Sequence, residues 1–162
     1  MIGLLLAAVA AAGGSADADI TGHWRVAWAC VQRTPADVYT ERCAQGVRDY
    51  FELELWSEGE AVCGAYSATA HLGNRIDEDE DWGPSIVGRN TSDGARLHFH
   101  SSSWGGDGHA TVRIRQDKLV WHVTDRHGES WVPPDAVLSR QAGHYLPGRP
   151  PPCSAVSPPA AQ

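Results

Sequence analysis

The sequence predicts an all-β domain, an eight-stranded antiparallel barrel with up-and-down connections, and three observations support this. Between Arg48 and Arg140, apolar residues alternate with charged or histidine residues, as in Phe51–Leu55 and Leu119–Val123. A strand that buries one face requires this period of two. Tight-turn residues separate the runs, and the chain is long enough for one domain with a substantial core. Closing eight strands into a barrel removes exposed edges; a β-sandwich is the alternative.

Eight segments carry the strand pattern. In chain order, the predicted strands are Ile20–Val31, Asp49–Trp56, Ala61–Ala70, Ser85–Asn90, Ala95–Ser101, His109–Arg115, Lys118–Thr124 and Trp131–Arg140. The segment Arg33–Gly46 differs, because Thr34 suits a helix cap, Pro35 a first helical position and Gly46 a helix end. We therefore expect one short helix between the first two strands. Two prolines exclude the beginning of the last strand from a central position.

The two ends of the chain differ in composition from the middle. An apolar run over residues 2–12, followed by the small-residue triplet Ala16–Ala18, is typical of a secretory signal peptide spanning residues 1–18. The run is too short for a membrane span. Residues 19–140 then form the barrel, and residues 141–162 form a proline-rich tail. This organisation predicts a periplasmic or secreted protein, and the residue usage is typical of bacteria.

Four cysteines in an exported chain favour two disulfides over a metal site. Cys43 lies in the predicted helical segment and could bond Cys30 at the end of the first strand, and closing a loop of about 14 residues contributes roughly 3 kcal/mol of stability. In the third strand, alternation points Cys63 away from the core. Its remaining partner is Cys153, so we expect the tail to lie across the outside of that strand.

Two short motifs resemble those of known small barrels. The opening of the first strand, Gly22–Trp24, resembles the Gly-x-Trp motif of lipocalins and avidins. The third-strand stretch Gly64–Ala68 is similar to the Gly-x-Tyr-x-Ser motif of avidins. This resemblance implies an eight-stranded barrel of the calycin type with a small ligand in its lumen. In avidins the tyrosine and the serine contact biotin; Tyr66 matches the former, whereas Ala68 stands at the serine position.

Long and tight connections alternate along the predicted meander, so the long ones share one end of the barrel. Binding residues concentrate in long loops on a rigid scaffold. We therefore expect this end to bind a partner, a protein of the cell envelope or an extracellular protein. The candidate partner-binding residues are Asp77, Glu78, Asp79, Glu80, Asp81, Trp82, Trp104 and Asp107. The net charge of −7 suits a basic or neutral partner and disfavours nucleic acid.

The acidic run has three interpretations that the sequence leaves open. It is solvated charge that keeps a loop soluble, an electrostatic wedge for a basic partner, or a calcium site. In the last case Asp77, Asp79 and Asp81, together with Asp107, would supply the oxygen ligands that calcium prefers. The sequence carries no cofactor motif, and calcium is the one ion that these residues would suit.

These observations predict a non-catalytic exported binding protein, of the kind that inhibits a basic cell-wall hydrolase. The first alternative is a small-molecule carrier whose apolar lumen is lined by Trp24, Trp28, Tyr66, Phe99 and Trp121. The second is a metal-dependent enzyme, because His100 lies roughly opposite His109 in the predicted register and Asp107 lies nearby. No serine-nucleophile elbow, zinc-protease motif or phosphate loop is present, so we do not expect an enzyme.

Overall fold

The computed structural model describes residues 19–30, 38–79 and 83–155. The predicted signal peptide, residues 1–18, lies outside these ranges. The strands are β1 Gly22–Ala27, β2 Tyr50–Glu58, β3 Ala61–Ala70, β4 Arg75–Glu78, β5 Ile86–Thr91, β6 Gly94–His100, β7 Asp107–Arg115, β8 Lys118–His127 and β9 Asp135–Arg140. A helix, α1 Val38–Ala44, follows β1, and a 3₁₀ turn, Cys153–Ala155, lies in the tail.

Eight of these strands form a closed antiparallel barrel. Its order is β2-β1-β9-β8-β7-β6-β5-β3, and pairing of β2 with β3 closes the ring. Apart from the short β4, strands adjacent in the chain are adjacent in the barrel, and β1 pairs with β9. The structure therefore confirms the eight-stranded up-and-down barrel predicted from the sequence.

Large side chains fill the lumen of the barrel. Trp121 packs with its edge toward Phe51 at a ring-centroid distance of 5.3 Å, and Phe99 lies 5.9 Å from Trp121. These three residues and Trp24 are at most 1% exposed. An eight-stranded barrel is just wide enough for its own side chains to fill. The inner face is therefore a packed core.

The strand β4 was not expected, because no strand was predicted between Ala70 and Ser85. The structure instead has a tight β3–β4 hairpin at residues 71–74, in which His71 and Leu72 have positive φ. The Asp49 carboxylate accepts a hydrogen bond from the Leu72 N–H at 2.6 Å, and Arg42 donates to the Leu72 carbonyl at 2.9 Å. These two long-range bonds hold a backbone conformation that a branched apolar residue rarely adopts.

Strands β4 and β5 both pair with β3 and run in the same direction. Glu78 of β4 pairs with Ser67, and Ile86 of β5 pairs with Gly64. Strands β4 and β5 therefore lie one after the other along the same edge of β3. As a result, the β3–β4 hairpin extends beyond the level at which β5 begins.

The last strand begins at Asp135, whereas the alternation predicted Trp131. Pro133 and Pro134 have no N–H to donate to a ladder, so pairing with β8 is confined to Asp135–Ser139. Similarly, β1 ends at Ala27, and Trp28 beyond it is 38% exposed. Both tryptophans thus lie outside the strands that the sequence assigned them to.

Both predicted disulfides are present, Cys30–Cys43 and Cys63–Cys153, with Cα–Cα distances of 5.9 and 5.6 Å. Cys63 and Cys153 pack with Trp56 in a small apolar cluster outside the barrel. The tail also contacts β2, where the buried Glu54 carboxylate accepts a hydrogen bond from the Tyr145 N–H at 3.0 Å. No helix in the described ranges is long and apolar enough to cross a membrane.

Candidate binding site at the loop end of the barrel

The two ends of the barrel have different connections. At one end, which we call the turn end, the chain reverses in tight turns at residues 59–60, 92–93 and 116–117. At the other, the loop end, lie the β3–β4 hairpin and the connections 79–85, 101–106 and 128–134. The turn end carries a depression of about 390 Å³, whose lining includes Ile20, Asn90 and Ser92. The β1–β2 connection, which carries Trp28 and α1, also lies at the loop end, so the loop end brings residues from five connections together.

Asp77 lies inside the loop end and is fully buried. Its Oδ1 accepts a hydrogen bond from Ser101 Oγ at 2.7 Å, and its Oδ2 accepts one from the Trp131 N–H at 2.9 Å. The Ser101 hydroxyl in turn accepts a bond from the Trp104 N–H at 2.9 Å. A single carboxylate on β4 thereby fixes the backbone of the two loops that carry Trp104 and Trp131.

Asp79 is the second buried carboxylate of the loop end. It accepts hydrogen bonds from the Tyr66 N–H at 3.0 Å, from Ser102 Oγ at 3.1 Å and from Ser85 Oγ. Burial raises the pKa of Asp79 to about 6 despite these donors, and the charge of Asp77 adds to the rise. Asp79 therefore joins both ends of the 79–85 connection to the barrel wall.

The same two carboxylates act on the tyrosine beneath them. Tyr66 is 1% exposed, in the wall of the lumen. Burial, followed by the nearby Asp77 carboxylate, raises the pKa of the Tyr66 phenol far above its usual value. Tyr66 is thus a neutral core residue below the loop end, in a position that solvent does not reach.

Aromatic rings and one arginine form a cluster on the rim of the loop end. The rings of Trp104 and Trp131 are edge to face with centroids 6.0 Å apart, and His71 lies 5.4 Å from Trp131. The Arg75 guanidinium lies 5.2 Å from the Trp104 ring and 5.8 Å from the Trp131 ring. Trp104 Nε1 donates to the Ile76 carbonyl at 2.8 Å, which orients its ring. We call Arg75, Trp104 and Trp131 the rim cluster.

A depression of about 330 Å³ lies beside the rim cluster. Its apolar walls include Trp28, Trp131, Pro133 and Pro134, and Ser130 also lines it. This volume is at the small end of the range found for ligand sites in proteins.

Two buried donors beside this depression have no acceptor within the described part of the chain: Ser130 Oγ and Trp131 Nε1. Leaving such a donor unsatisfied costs about 1–3 kcal/mol, so native proteins rarely retain one without a water or ligand to satisfy it. The depression therefore combines apolar walls with adjacent hydrogen-bonding capacity, which is the usual composition of a small-molecule site.

The acidic run is placed differently from its predicted position in an exposed loop. Asp77 belongs to β4 and is buried, Asp79 is buried, and the half-buried Glu78 accepts a hydrogen bond from Ser67 Oγ at 3.1 Å. The predicted site residues Glu80, Asp81 and Trp82 lie outside the described residues. The side chains of Asp77 and Asp79 are turned inward because the loop N–H and O–H groups need acceptors there.

The residues predicted to hold a catalytic metal lie on the outer wall of the barrel: His100, His109 and Asp107. His98, and not His100, pairs with His109, with ring centroids 5.1 Å apart, while His100 pairs with Asp107. Asp107 Oδ2 lies 3.3 Å from His98 Nε2. Within the described residues, no three His, Cys, Asp or Glu side chains are placed to hold a metal ion. The structure thus separates His100 from His109, which the predicted register had brought together.

The lumen residues predicted for the carrier are split between two places. Trp24, Tyr66, Phe99 and Trp121 are packed in the barrel core, each at most 1% exposed. Trp28 instead lines the depression at the loop end. Trp104 is the one predicted partner-binding residue that the structure places in the rim cluster.

Five residues of the site were not predicted as binding residues: Arg75, Ser130, Trp131, Pro133 and Pro134. Trp131 was assigned to a strand because the alternation extends to it, and the prolines two and three residues later are the signal that places it in a loop. The chain matches no protein-family model, no curated protein and no solved structure. The site therefore rests on its own geometry.

Proposed function

We propose that the protein is a non-catalytic binding protein and that its binding site is the loop end of the barrel. One observation carries the proposal: buried, unsatisfied donors at Ser130 and Trp131 adjoin a depression walled by tryptophan and proline. The core below is packed, so a ligand would bind at the mouth. The two disulfides are compatible with an extracellular or periplasmic protein, which is where we propose it acts.

The chemistry of the site suits a small planar group that carries an oxygen acceptor. Tryptophan and proline walls favour an apolar ring. A carbonyl or ether oxygen would accept hydrogen bonds from Ser130 Oγ and Trp131 Nε1 after a small adjustment of these buried groups. Such a group is either a small molecule or one side chain of a larger partner.

Benzamide, which joins an aromatic ring to a carbonyl, is a direct probe of this proposal, and toluene is the probe that lacks the acceptor. We expect calorimetric titration to show benzamide binding more tightly than toluene. Trp131→Phe keeps a ring but removes the N–H donor, and Ser130→Ala removes the hydroxyl, so each should weaken benzamide binding about tenfold. Ser92→Ala, at the turn end, is the matched control and should change nothing. Equal binding of benzamide to all four proteins would contradict the proposal.

A protein partner is the second candidate, and the rim cluster is the observation that favours it. Tryptophan and arginine are the residue types most enriched at the energetic centres of protein interfaces. In this version the protein inhibits a basic cell-wall hydrolase of the envelope, and the rim cluster supplies the contact. Because Asp77 and Asp79 are buried, electrostatic steering would fall to Glu80 and Asp81.

Surface plasmon resonance with lysozyme, a basic cell-wall hydrolase, tests the second candidate. The double substitution Glu80→Gln, Asp81→Asn should slow association, and added salt should shrink the difference, because salt screens charge–charge attraction over about 8 Å at physiological ionic strength. Trp104→Ala should instead speed dissociation. If lysozyme does not bind, or if neither variant alters its kinetics, this candidate fails while the small-ligand proposal stands.

A further inference from the structure

The outer wall of the barrel carries two arginines directly opposite one another. Arg89 of β5 and Arg96 of β6 are register partners, and both are exposed. The Cβ atoms of directly opposed residues in an antiparallel pair lie about 4.5–5.5 Å apart. Two like charges at this spacing destabilise the pair. An anion bound between the two guanidinium groups would relieve this repulsion.

Several carboxylates of this wall are engaged by other side chains. Asp93 pairs with Arg113 at 3.1 Å, and three more acids lie beside histidine rings: Asp107 beside His98, Asp125 beside His109, and Asp135 beside His122. Arg89 and Arg96 form no ion pair with any residue that the structure describes. Each guanidinium thus keeps its hydrogen-bond donors available on the protein surface.

A groove of about 790 Å³ runs along this wall, and Arg89 and Arg96 both line it. Thr111, the register partner of Arg96 on β7, adds a hydroxyl, and the His98–His109 pair lies in the next row of the sheet. The donors in the groove therefore converge from three adjacent strands. The sheet fixes the backbone positions of Arg89 and Arg96, so the two exposed side chains leave neighbouring strands side by side.

We propose that this groove is a binding site for a phosphate-type oxyanion, held between Arg89 and Arg96. A guanidinium presents a planar fork of N–H donors that matches the paired oxygens of a phosphate or sulfate. The protein as a whole carries a charge of −7 and repels anions, so only a local pair of cations can retain one. The site is on the outer wall, distinct from the loop end.

Inorganic phosphate is the first probe, and its binding is monitored by proton–nitrogen correlation NMR. We expect millimolar phosphate to move the backbone signals of Arg89, Arg96 and Thr111, and to raise the melting temperature because it relieves the repulsion of the arginine pair. Arg96→Gln should weaken phosphate binding at least tenfold. Arg96→Lys keeps the charge but loses the planar fork of donors, so its affinity for phosphate should lie between those of the wild type and Arg96→Gln. Arg115→Gln, an exposed cation at the end of β7, is the matched control and should bind as the wild type does.

The stability of the variants gives a second readout that does not depend on binding. Without phosphate, Arg96→Gln should melt at or above the wild-type temperature, because it removes a like-charge contact. With phosphate, the wild type should have the higher melting temperature of the two. An unchanged order, or phosphate-induced shifts spread over the surface and insensitive to Arg96→Gln, would overturn the proposal.

Vesicles distinguish a lipid headgroup from a free oxyanion. Sedimentation with phosphatidylglycerol vesicles, against phosphatidylcholine vesicles, shows whether the groove reaches a phosphate held in a membrane surface. Binding to the anionic vesicles that Arg96→Gln abolishes supports the site with a lipid as source. Binding of phosphate alone supports it with a soluble source, and failure of both probes excludes it.

Discussion

The two ends of this barrel are built by different means. At the turn end, the β7–β8 connection is a local turn: Gln116 and Asp117 both adopt positive φ and reverse the chain. At the loop end, the contacts that fix the backbone span long sequence distances. The Asp77 carboxylate reaches Ser101 and the N–H of Trp131, which are 24 and 54 residues away.

This difference shows what acidic residues can do in a loop region. At the turn end, Asp117 is exposed and contributes mainly through its tolerance of a left-handed backbone. At the loop end, Asp77 and Asp79 are buried acceptors that satisfy the N–H and O–H groups of irregular connections. Irregular backbone needs such acceptors wherever it is removed from water. We conclude that these two carboxylates organise the site and do not contact the ligand.

The largest effect is expected at Asp77. Asp77→Asn removes the charged acceptor shared by Ser101 and Trp131 and places an amide where only donors point. We expect the free energy of unfolding to fall by about 3 kcal/mol, since hydrogen bonds to charged groups contribute about 1.5–3 kcal/mol each. Urea denaturation measures this change.

The matched control is Asp117→Asn at the turn end, because asparagine also adopts positive φ readily. It should leave the urea midpoint nearly unchanged. Equal losses for Asp77→Asn and Asp117→Asn would mean that the two ends are not built differently, which would remove the basis of the comparison.

The next effect concerns pH and Asp79. Its pKa is raised from 3.8 to about 6 in the folded protein, so the folded state binds a proton that the unfolded state releases between these values. The contribution of Asp79 to stability therefore decreases as pH rises from about 4 to about 6, by on the order of 2 kcal/mol. Asp79→Asn should lose this part of the pH dependence.

The measurement is the difference in unfolding free energy between wild type and Asp79→Asn at several pH values. The contributions of the other titrating groups cancel in this difference. The wild type should lose stability relative to the variant as pH rises through this window. A difference that is constant with pH would show that Asp79 ionises in the fold as it does in the unfolded chain.

A smaller effect is expected at the rim cluster. Arg75 is exposed and lies over two tryptophan rings, so Arg75→Gln should cost about 0.5 kcal/mol of stability. Arg115→Gln, near the turn end, should lower the free energy of unfolding by a smaller amount. A loss above about 2 kcal/mol for Arg75→Gln, measured by urea denaturation, would mean that the rim cluster holds the fold together and is not primarily a binding surface.

The parts of this structure that depend on side-chain alternation were predictable. Alternation points Cys63 outward, and with Cys30 and Cys43 paired to each other its remaining partner is Cys153, which the structure confirms. It also places His98, His100 and His109 on the outer wall. Shifting the register between β6 and β7 by two residues leaves every side chain on the same face of the sheet. Alternation therefore cannot distinguish His98 from His100 as the partner of His109. A tight turn would have set the register, but the connection after β6 is long.

The inward orientation of the Asp77 and Asp79 side chains was not predictable by the same reasoning. A charged stretch between strands is usually solvated, and nothing local marks Asp77 as buried. Its burial depends on the β3–β4 hairpin, which is held by Asp49 and Arg42 from elsewhere in the chain. It also depends on donors supplied by Ser101 and the Trp131 backbone. Such contacts exist only once the barrel has closed.

The most direct test of the central claim, that a ligand binds at the loop end and not in the lumen, follows the indole N–H signals of the seven tryptophans by NMR during a benzamide titration. The account predicts that the signals of Trp28 and Trp131 move, while those of Trp24 and Trp121, each 1% exposed in the core, stay in place. Movement of Trp24 and Trp121 with Trp28 and Trp131 unchanged would contradict it.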